Sequence, residues 1–171
     1  VTGTHGKSTT TAMLGHVFAS AGLDPTVVVG SKVPGFTQGN LRVGKSDLLI
    51  VEACEHKEHM LHVRPESAIV TNIEYDHPDH YRDADHVREA MERFAGQVGK
   101  TLVLNAEDVE SAKIDDTAAP LVVRVGDGGA GSSVKLPAAI GAKACLLSPP
   151  AWERGAAVVG VVVGVLGSPS R

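Results

Sequence analysis

The sequence of 171 residues has two cysteines and no long uninterrupted apolar run. Cys54 and Cys145 cannot supply the several disulfides that stabilise small secreted domains, and no CxxC metal-binding pair is present. We therefore expect a protein of a reducing compartment, the cytoplasm. The most apolar segment, residues 155–167, has 13 residues, whereas a helix needs about 20 to cross a bilayer. No membrane association is expected.

An excess of positive charge and a large aromatic content are also missing. The chain has 16 Lys and Arg against 20 Asp and Glu, a net charge of −4, which argues against nucleic acid as a partner. Aromatic residues make up only 4%, so the core must consist of Val, Leu, Ile and Ala. Because 43% of the residues are apolar, the chain can still form a globular core.

The apolar pattern predicts an α/β fold. Residues 9–22 and 83–98 carry apolar side chains at helical spacing. Short apolar runs predict buried strands at residues 26–29, 48–51, 68–71, 102–104 and 121–123. Such strands alternating with helices indicate a mostly parallel sheet flanked by helices. We place this domain at residues 1–126 and leave residues 127–171, a Gly-, Ala- and Val-rich tail, unassigned.

A candidate phosphate-binding loop lies at the very start of the chain. The general pattern G-x-x-x-x-G-K-[ST] would require Gly at position 1, where Val1 stands, so only a tighter version is present. Backbone N–H groups of such a loop and of the following helix bind phosphate oxygens. Lys7 would contact the β and γ phosphates, and Ser8 would hold Mg²⁺. The alternative is an ordinary glycine-containing turn with a solvated lysine.

The strand that normally precedes a phosphate loop is missing, since the chain begins at Val1 without a Met. We therefore expect a segment of a longer protein. A natural N-terminus is the alternative.

Acidic residues and histidine follow two of the predicted strands. Glu52 comes after the second strand, and Asp76 and His77 come after the third. Ligands of open parallel sheets bind beyond the carboxyl ends of the strands, so these side chains should meet the phosphate loop there. Glu52 suits Mg²⁺, which prefers oxygen ligands, although a solvated strand-end acid is the alternative. His77 suits a second divalent ion or a charge-stabilising contact.

Two further features favour a structural interpretation. His56, His59 and His62 recur every third residue, a spacing that drifts around a helix, so we interpret them as a polar surface and not a metal site. Cys54 stands between two acids, which oppose formation of a reactive thiolate. We therefore expect it to be packed at the strand end.

Together the motifs resemble those of the Mur ligases, the amide ligases of peptidoglycan-precursor synthesis, and especially their alanine-adding branch. The segments that carry the resemblance are TGTHGKSTT at 2–10, VPGF at 33–36, GN at 39–40, VGK at 43–45, EACE at 52–55, HML at 59–61, TNIEYDHPD at 71–79 and LNAED at 104–108. They cover residues 1 to about 110. Beyond that point the match fades, and the family's H-N-x-x-N motif is not visible.

The resemblance implies a central ATP-binding domain of the phosphate-loop type and an ADP-forming ligase that uses ATP and Mg²⁺. Its small-molecule substrates would be UDP-N-acetylmuramate, L-alanine and ATP, in a reaction that serves the cell wall and so cell shape and division. The UDP-N-acetylmuramate carboxylate would take the γ-phosphate of ATP to form an acyl phosphate. The amine of L-alanine would then displace the phosphate, with no obvious general base for that amine.

The resemblance also implies residue roles. Catalysis is assigned to Lys7, Glu52 and His77, and metal binding to Ser8, Glu52 and His77. ATP binding is assigned to Gly3, Thr4, His5, Gly6, Lys7, Ser8 and Thr9. The substrate side is assigned to Asn40, Asn72 and Asp76.

The family's UDP-binding domain and closing C-terminal domain are not visible in this chain. We therefore expect most of a central domain, inactive in isolation, that works with N- and C-terminal domains. Two alternatives remain open: another Mur-type ligase such as the muropeptide-recycling one, and a non-catalytic nucleotide-binding fragment.

Overall fold

The computed structural model describes residues 1–115, 119, 121–126 and 133–135. The helices are α1 (Lys7–Ser20), α2 (Ala84–Ala95) and α3 (Val109–Ala112), with a 3₁₀ segment at His56–His62. The strands are β1 (Thr26–Val28), β2 (Leu41–Arg42), β3 (Leu49–Val51), β4 (Ser67–Val70), β5 (Thr101–Asn105), β6 (Leu121–Val125) and β7 (Ser133–Lys135). The 155–167 run and Cys145 lie outside the described residues.

The strands form two sheets, in the orders β2-β1-β3 and β4-β5-β6-β7. β1 and β3 are parallel, as are β4, β5 and β6, whereas β2 and β7 add antiparallel edges. The expected α/β architecture with a mostly parallel sheet is confirmed. β7 falls inside the segment that was left unassigned, and its pairing with β6 places those three residues in the sheet.

The first two residues join the two sheets. The Ala53 N–H donates to the Val1 carbonyl at 2.8 Å, and the Thr2 N–H donates to the Ile69 carbonyl at 2.8 Å. Thr2 forms a parallel bridge with Val70. This short extended segment therefore lies between β3 and β4, and the phosphate loop leaves the sheet at that point.

Both faces of the four-stranded sheet are covered, as the continuous apolar strands predict. In β5, Leu102 and Leu104 pack in the cluster that contains α2, whereas Val103 packs in the cluster that contains Leu14 and Phe18 of α1. The alternation follows from the two-residue period of a strand. The helices thus hold the sheet rigid beneath the loops at its carboxyl edge.

The α2 helix matches its prediction closely. The predicted apolar face is buried and comprises Val87, Ala90, Met91, Phe94, Ala95 and Val98. Asp83 caps the helix, because its side chain accepts a hydrogen bond from the His86 N–H at 2.8 Å.

Other predictions need correction. The first helix begins at Lys7 and not at residue 9, and it buries Thr11 and Gly15 beside Leu14 and Phe18. Thr11 tolerates burial because its hydroxyl donates to the Lys7 carbonyl at 2.7 Å. The strand β2 (Leu41–Arg42) lies between the predicted strands 26–29 and 48–51, where no strand was predicted. No helix in the described part of the chain is long and apolar enough to span a membrane.

The strand predicted at 48–51 was expected to be buried, and this is wrong, because Leu48 and Leu49 are exposed and Ile50 and Val51 are only half-buried. Leu49 is 65% exposed. The physical reason is that β3 is the outer strand of its own sheet, pairing along its length with β1 alone. On its other side, near its carboxyl end, the Val1 amino group donates to the Val51 carbonyl and the Ala53 N–H donates to the Val1 carbonyl, both at 2.8 Å.

The close approach of α1 to β1 generates a stability prediction. A Cβ added at Gly15 would lie 2.9 and 3.0 Å from the two methyl groups of Val27, which is fully buried and stiff at χ1. Overpacking costs about 1–3 kcal/mol, against a gain of about 1 kcal/mol from alanine in a helix. We expect Gly15→Ala to lower the free energy of unfolding by up to about 2 kcal/mol, measured by urea denaturation.

Gly96→Ala is the matched control. Gly96 has a φ of −64°, and an added Cβ there would meet no atom closer than 3.6 Å. Its stability should be unchanged or raised by about 0.4–1 kcal/mol. Equal stabilities of the two variants would contradict the proposed packing of α1.

Candidate functional site

The loops at the carboxyl edge of the parallel strands enclose a polar cleft. It has a volume of about 330 Å³ and is lined by Thr4, His5, Gly6, Lys7, Ser8, Thr9 and Glu52. Six of the seven residues predicted to bind ATP are in this lining, and Gly3 lies buried beneath it. The structure therefore brings the predicted loop and the predicted acidic residue together.

The loop and the first turn of α1 form the wall of the cleft. Gly3 and Gly6 adopt φ values of 127° and 80°, which other residues rarely adopt. α1 begins directly after Gly6, and among the described residues no side chain caps it and no acid stands in its first turn. The positive end of the helix dipole and its free amides thus face the cleft, an arrangement that favours a bound anion.

Asn72 holds the loop in place from the neighbouring strand end. Its side-chain Oδ1 accepts from the His5 N–H at 2.8 Å, and its side-chain Nδ2 donates to the His5 carbonyl at 3.2 Å. The Thr71 hydroxyl donates to the same carbonyl at 2.6 Å. Asn105, at the end of β5, donates to the Thr71 carbonyl at 3.0 Å. The residues at the ends of β4 and β5 therefore fix the position of the loop backbone at His5.

Ser8 and Glu52 meet at one end of the cleft. The Ser8 hydroxyl lies 3.0 and 2.9 Å from the two carboxylate oxygens of Glu52. The Gly30 N–H, just past β1, donates to Glu52 Oε2 at 2.6 Å. A Cβ at position 30 would lie 2.9 Å from Glu52 Oε1, so only glycine leaves room for the carboxylate there. Gly30 was not predicted as a site residue, although a glycine directly after a strand was a usable signal.

Lys7 is paired with Glu55, which is 2% exposed. Its ammonium group lies 3.0 Å from Glu55 Oε1 and 2.8 Å from Oε2. It also donates to the carbonyls of Gly3 and Thr4 at 2.7 and 2.8 Å. Lys7 therefore points inward under the loop and must release Glu55 to contact a ligand in the cleft. Glu55 was not predicted as a site residue.

His77 stands on the other side of Glu55. Its Nε2 lies 3.4 Å from Glu55 Oε1 and 3.9 Å from Asp76 Oδ2. The backbone of His77 has a φ of 55°, and its N–H donates to Asp76 Oδ1 at 2.7 Å. Glu55 thus connects the predicted phosphate lysine to the predicted metal histidine.

Tyr81 anchors the segment that carries Glu55. It is 1% exposed, and its hydroxyl donates to the Glu55 carbonyl at 2.5 Å. Burial raises the pKa of Tyr81 to about 12, so the phenol remains a donor at neutral pH.

His56 lies apart from His59 and His62, with which it was grouped in the sequence. Its ring stacks on that of His77 at 4.3 Å, and its Nε2 lies 3.0 Å from Asp79 Oδ2. This hydrogen bond holds the pKa of Asp79 below its usual range. The His59 and His62 rings lie 6.4 Å apart.

The exposure of Cys54 contradicts another prediction. It was expected to be packed, but it is exposed. Its neighbours Ala53 and Glu55 are both buried, so the side chain between them points outward.

The three residues predicted on the substrate side are less closely tied to the cleft. Asn72 holds the loop, Asp76 binds the His77 backbone, and the Asn40 amide donates to the Val29 carbonyl at 2.9 Å. None of them lines the cleft, and their roles toward a substrate remain predictions.

Residues 1–136 match the family model described as "Mur ligase middle domain". Because this match covers most of the sequence, the chain belongs to the Mur ligase family, through its middle domain.

Relatives of known name agree with this assignment. The chain is 44% identical over 110 residues to the UDP-N-acetylmuramate–L-alanine ligase of Clostridium tetani, covering 63% of this chain and 24% of that protein. It is 48% identical over 98 residues to the enzyme of that name from Desulfitobacterium hafniense, covering 57% of this chain and 22% of that protein. The chain thus spans about a quarter of the length of these relatives.

Solved structures confirm the fold. The UDP-N-acetylmuramate–alanine ligase MurC of Thermotoga maritima superposes with a TM-score of 0.69 at 24% identity, covering 97% of this chain and 40% of that one. The UDP-N-acetylmuramate:L-alanyl-γ-D-glutamyl-meso-diaminopimelate ligase of Neisseria meningitides superposes with a TM-score of 0.72 at 22% identity. This match covers 97% of this chain and 60% of that one.

The two loop glycines provide a prediction for this site. A Cβ at Gly3 would lie 2.2 Å from Thr71 Oγ1 and 2.9 Å from the Asn72 carbonyl oxygen, whereas a Cβ at Gly6 would meet nothing within 4 Å. Alanine at Gly6 pays only the left-handed backbone cost of about 1–2 kcal/mol. We expect Gly3→Ala to lose at least about 2 kcal/mol more than Gly6→Ala in urea denaturation. Equal losses would show that the loop does not lie against the end of β4.

Proposed function

We propose that this chain supplies the ATP-binding part of a ligase that joins L-alanine to UDP-N-acetylmuramate in peptidoglycan-precursor synthesis. The observation that carries the proposal is the meeting of Lys7, Ser8 and Glu52 in one cleft at the uncapped start of α1. The names of the relatives that are 44–48% identical support these substrates over those of another Mur-type ligase.

The residues in the cleft fit ATP and Mg²⁺. Backbone amides and Lys7 offer positive charge to phosphates, whereas Ser8 and Glu52 offer adjacent oxygens, which Mg²⁺ prefers. A cation bound there would neutralise the charge of the phosphate groups. Gly3, Thr4, His5, Gly6 and Thr9 would surround the same phosphates through the loop and first helical turn.

The proposed chemistry proceeds in two steps. The carboxylate oxygen of UDP-N-acetylmuramate attacks the γ-phosphorus of ATP, which releases ADP and leaves an acyl phosphate. The L-alanine amine then attacks the acyl carbon, phosphate leaves and the nitrogen loses a proton. In phosphoryl transfer the protein acts mainly by positioning and by charge stabilisation. Lys7 would leave Glu55 and take up the negative charge on the transferred group.

Further assignments belong to the same proposal. His77 would bind a second divalent ion or contact the acyl phosphate, with Asp76 and Asn72 shaping its surroundings and Asn40 on the substrate side. We also propose a cytoplasmic location, cooperation with N- and C-terminal domains of the complete enzyme, and a middle domain that includes β7 and so extends past the predicted boundary at residue 126. On its own the chain would bind ATP without turnover.

ATP binding by Lys7→Ala tests the phosphate assignment. A contact to a charged group contributes about 1.5–3 kcal/mol, so we expect ATP affinity in the presence of Mg²⁺ to fall by about 10–100-fold, measured by calorimetry. Lys45→Ala removes an exposed lysine outside the cleft and is the control, with no expected change.

A double variant separates an effect on ATP binding from an effect on folding, because it leaves no unpaired buried charge. Lys7→Ala leaves the buried Glu55 carboxylate without its partner, whereas Lys7→Ala/Glu55→Gln removes both charges. Both variants should bind ATP about 10–100-fold more weakly than the unmodified chain. Unchanged affinity and unchanged Mg²⁺ dependence in the double variant would overturn the phosphate-loop assignment.

The substrate assignment needs its own measurement. In the complete enzyme, phosphate release should require both UDP-N-acetylmuramate and L-alanine. A requirement for a peptide in place of L-alanine would replace this assignment with the recycling reaction.

A further inference from the structure

A second group of metal-binding side chains lies beside the cleft. His56, His77 and Asp79 each present one ligand atom, and these three atoms lie within 4.8 Å of one another. The His56 Nε2 atom is already 3.0 Å from Asp79 Oδ2, and the two imidazole rings are stacked at an interplanar angle of 21°. Two segments that are distant in the sequence therefore meet at three potential ligands.

The backbone that carries these side chains is held in place before any ion binds. The His77 carbonyl accepts from the N–H groups of His80 and Tyr81, both at 2.9 Å. Tyr81 in turn donates to the carbonyl of Glu55, the residue directly before His56. This chain of hydrogen bonds ties the His77–Asp79 turn to the start of the 3₁₀ segment. Only side-chain rotations are then needed to bring the ligands together.

We propose that His56, His77 and Asp79 bind one divalent cation of the borderline class, such as Zn²⁺ or Co²⁺. Two imidazoles with one carboxylate suit these ions, whereas Mg²⁺ prefers oxygen ligands. Zn–N and Zn–O bonds of about 2.0–2.2 Å place tetrahedral ligand atoms roughly 3.3 Å apart. The His56–Asp79 pair already meets this spacing, and the third ligand atom must move by about 1.5 Å at most to reach it.

The charges around the three residues favour a cation. Asp76 Oδ2 lies 3.9 Å and Glu55 Oε1 lies 3.4 Å from His77 Nε2. Asp79 is 61% exposed and the two imidazoles 32%, so an ion can enter from solvent and keep water in its remaining positions. Such an open coordination position distinguishes this arrangement from a closed structural zinc site.

This site is separate from the Mg²⁺ position proposed at Ser8 and Glu52. His56 and Asp79 do not line the phosphate cleft, and the proposal requires neither ATP nor the ligase reaction. Its failure would leave the phosphate-loop assignment untouched, and failure of the Lys7 test would leave this site untouched. The two proposals share only His77: while this ion is bound, the His77 imidazole is its ligand and does not contact the acyl phosphate.

Titration of the metal-free chain with Co²⁺, followed by visible ligand-field absorption, tests the proposal. We expect one Co²⁺ per chain, displaced by Zn²⁺ but not by a large excess of Mg²⁺. His56→Ala and Asp79→Asn should each weaken Co²⁺ binding by about tenfold or more, since loss of even an outer partner of a metal ligand costs about that much. Because Asp79 is exposed, Asp79→Asn provides a variant whose folding is not at stake, and circular dichroism checks both.

His59→Ala and His62→Ala are the matched controls, because both histidines belong to the same 3₁₀ segment but lie outside the group. They should bind Co²⁺ like the unmodified chain. Unchanged binding in Asp79→Asn and His56→Ala would overturn the proposal, and so would an equal loss in either control. Loss of binding confined to Glu52→Gln would place the ion in the phosphate cleft and would also overturn it.

Discussion

The site depends on the pairing of two residues, Val1 and Thr2, between β3 and β4. Their backbone hydrogen bonds join two sheets that otherwise share no strand pairing. Because the loop leaves the sheet at this point, Glu52 and Glu55 from the end of β3 lie on one side of it. Thr71 and Asn72 from the end of β4 lie on the other. The chemistry of the cleft is therefore a consequence of strand order, in agreement with the rule that ligands bind at the carboxyl edge of open parallel sheets.

The buried pairing of Lys7 with Glu55 defines the arrangement of this site without a ligand. A buried carboxylate without a partner is costly, so Glu55 retains Lys7 under the loop when no anion competes for it. Phosphate groups of a bound nucleotide would offer that competition, and His77, whose Nε2 lies 3.4 Å from Glu55 Oε1, would then compensate the carboxylate. The Lys7 ammonium group would thus pair with Glu55 when the cleft is empty and with phosphate oxygens when a nucleotide is bound. His77 lies between Glu55 on one side and the neighbouring group of His56 and Asp79 on the other.

Local patterns predicted much of this molecule, and the contacts between distant segments account for the rest. The α2 face followed from helical periodicity, and the buried strands β4 and β5 followed from short apolar runs, because both strands are covered on both faces. The loop, Glu52 and His77 followed from motifs at strand ends. Glu55 and Gly30 were missed as site residues because their importance arises only when β1, β3 and the loop become neighbours. The exposure of Leu49 and Cys54 and the separation of His56 from His59 likewise depend on strand order and on a 3₁₀ turn, which spacing in the sequence does not encode.

A crystal structure of the chain with Mg²⁺ and a non-hydrolysable ATP analogue would show whether the cleft binds nucleotide phosphates. We expect phosphates over the start of α1, the Lys7 ammonium group moved from Glu55 to the phosphate oxygens, and one cation shared by Ser8 and Glu52. A nucleotide bound elsewhere, or one bound in the cleft while Lys7 keeps its pairing with Glu55, would contradict this expectation.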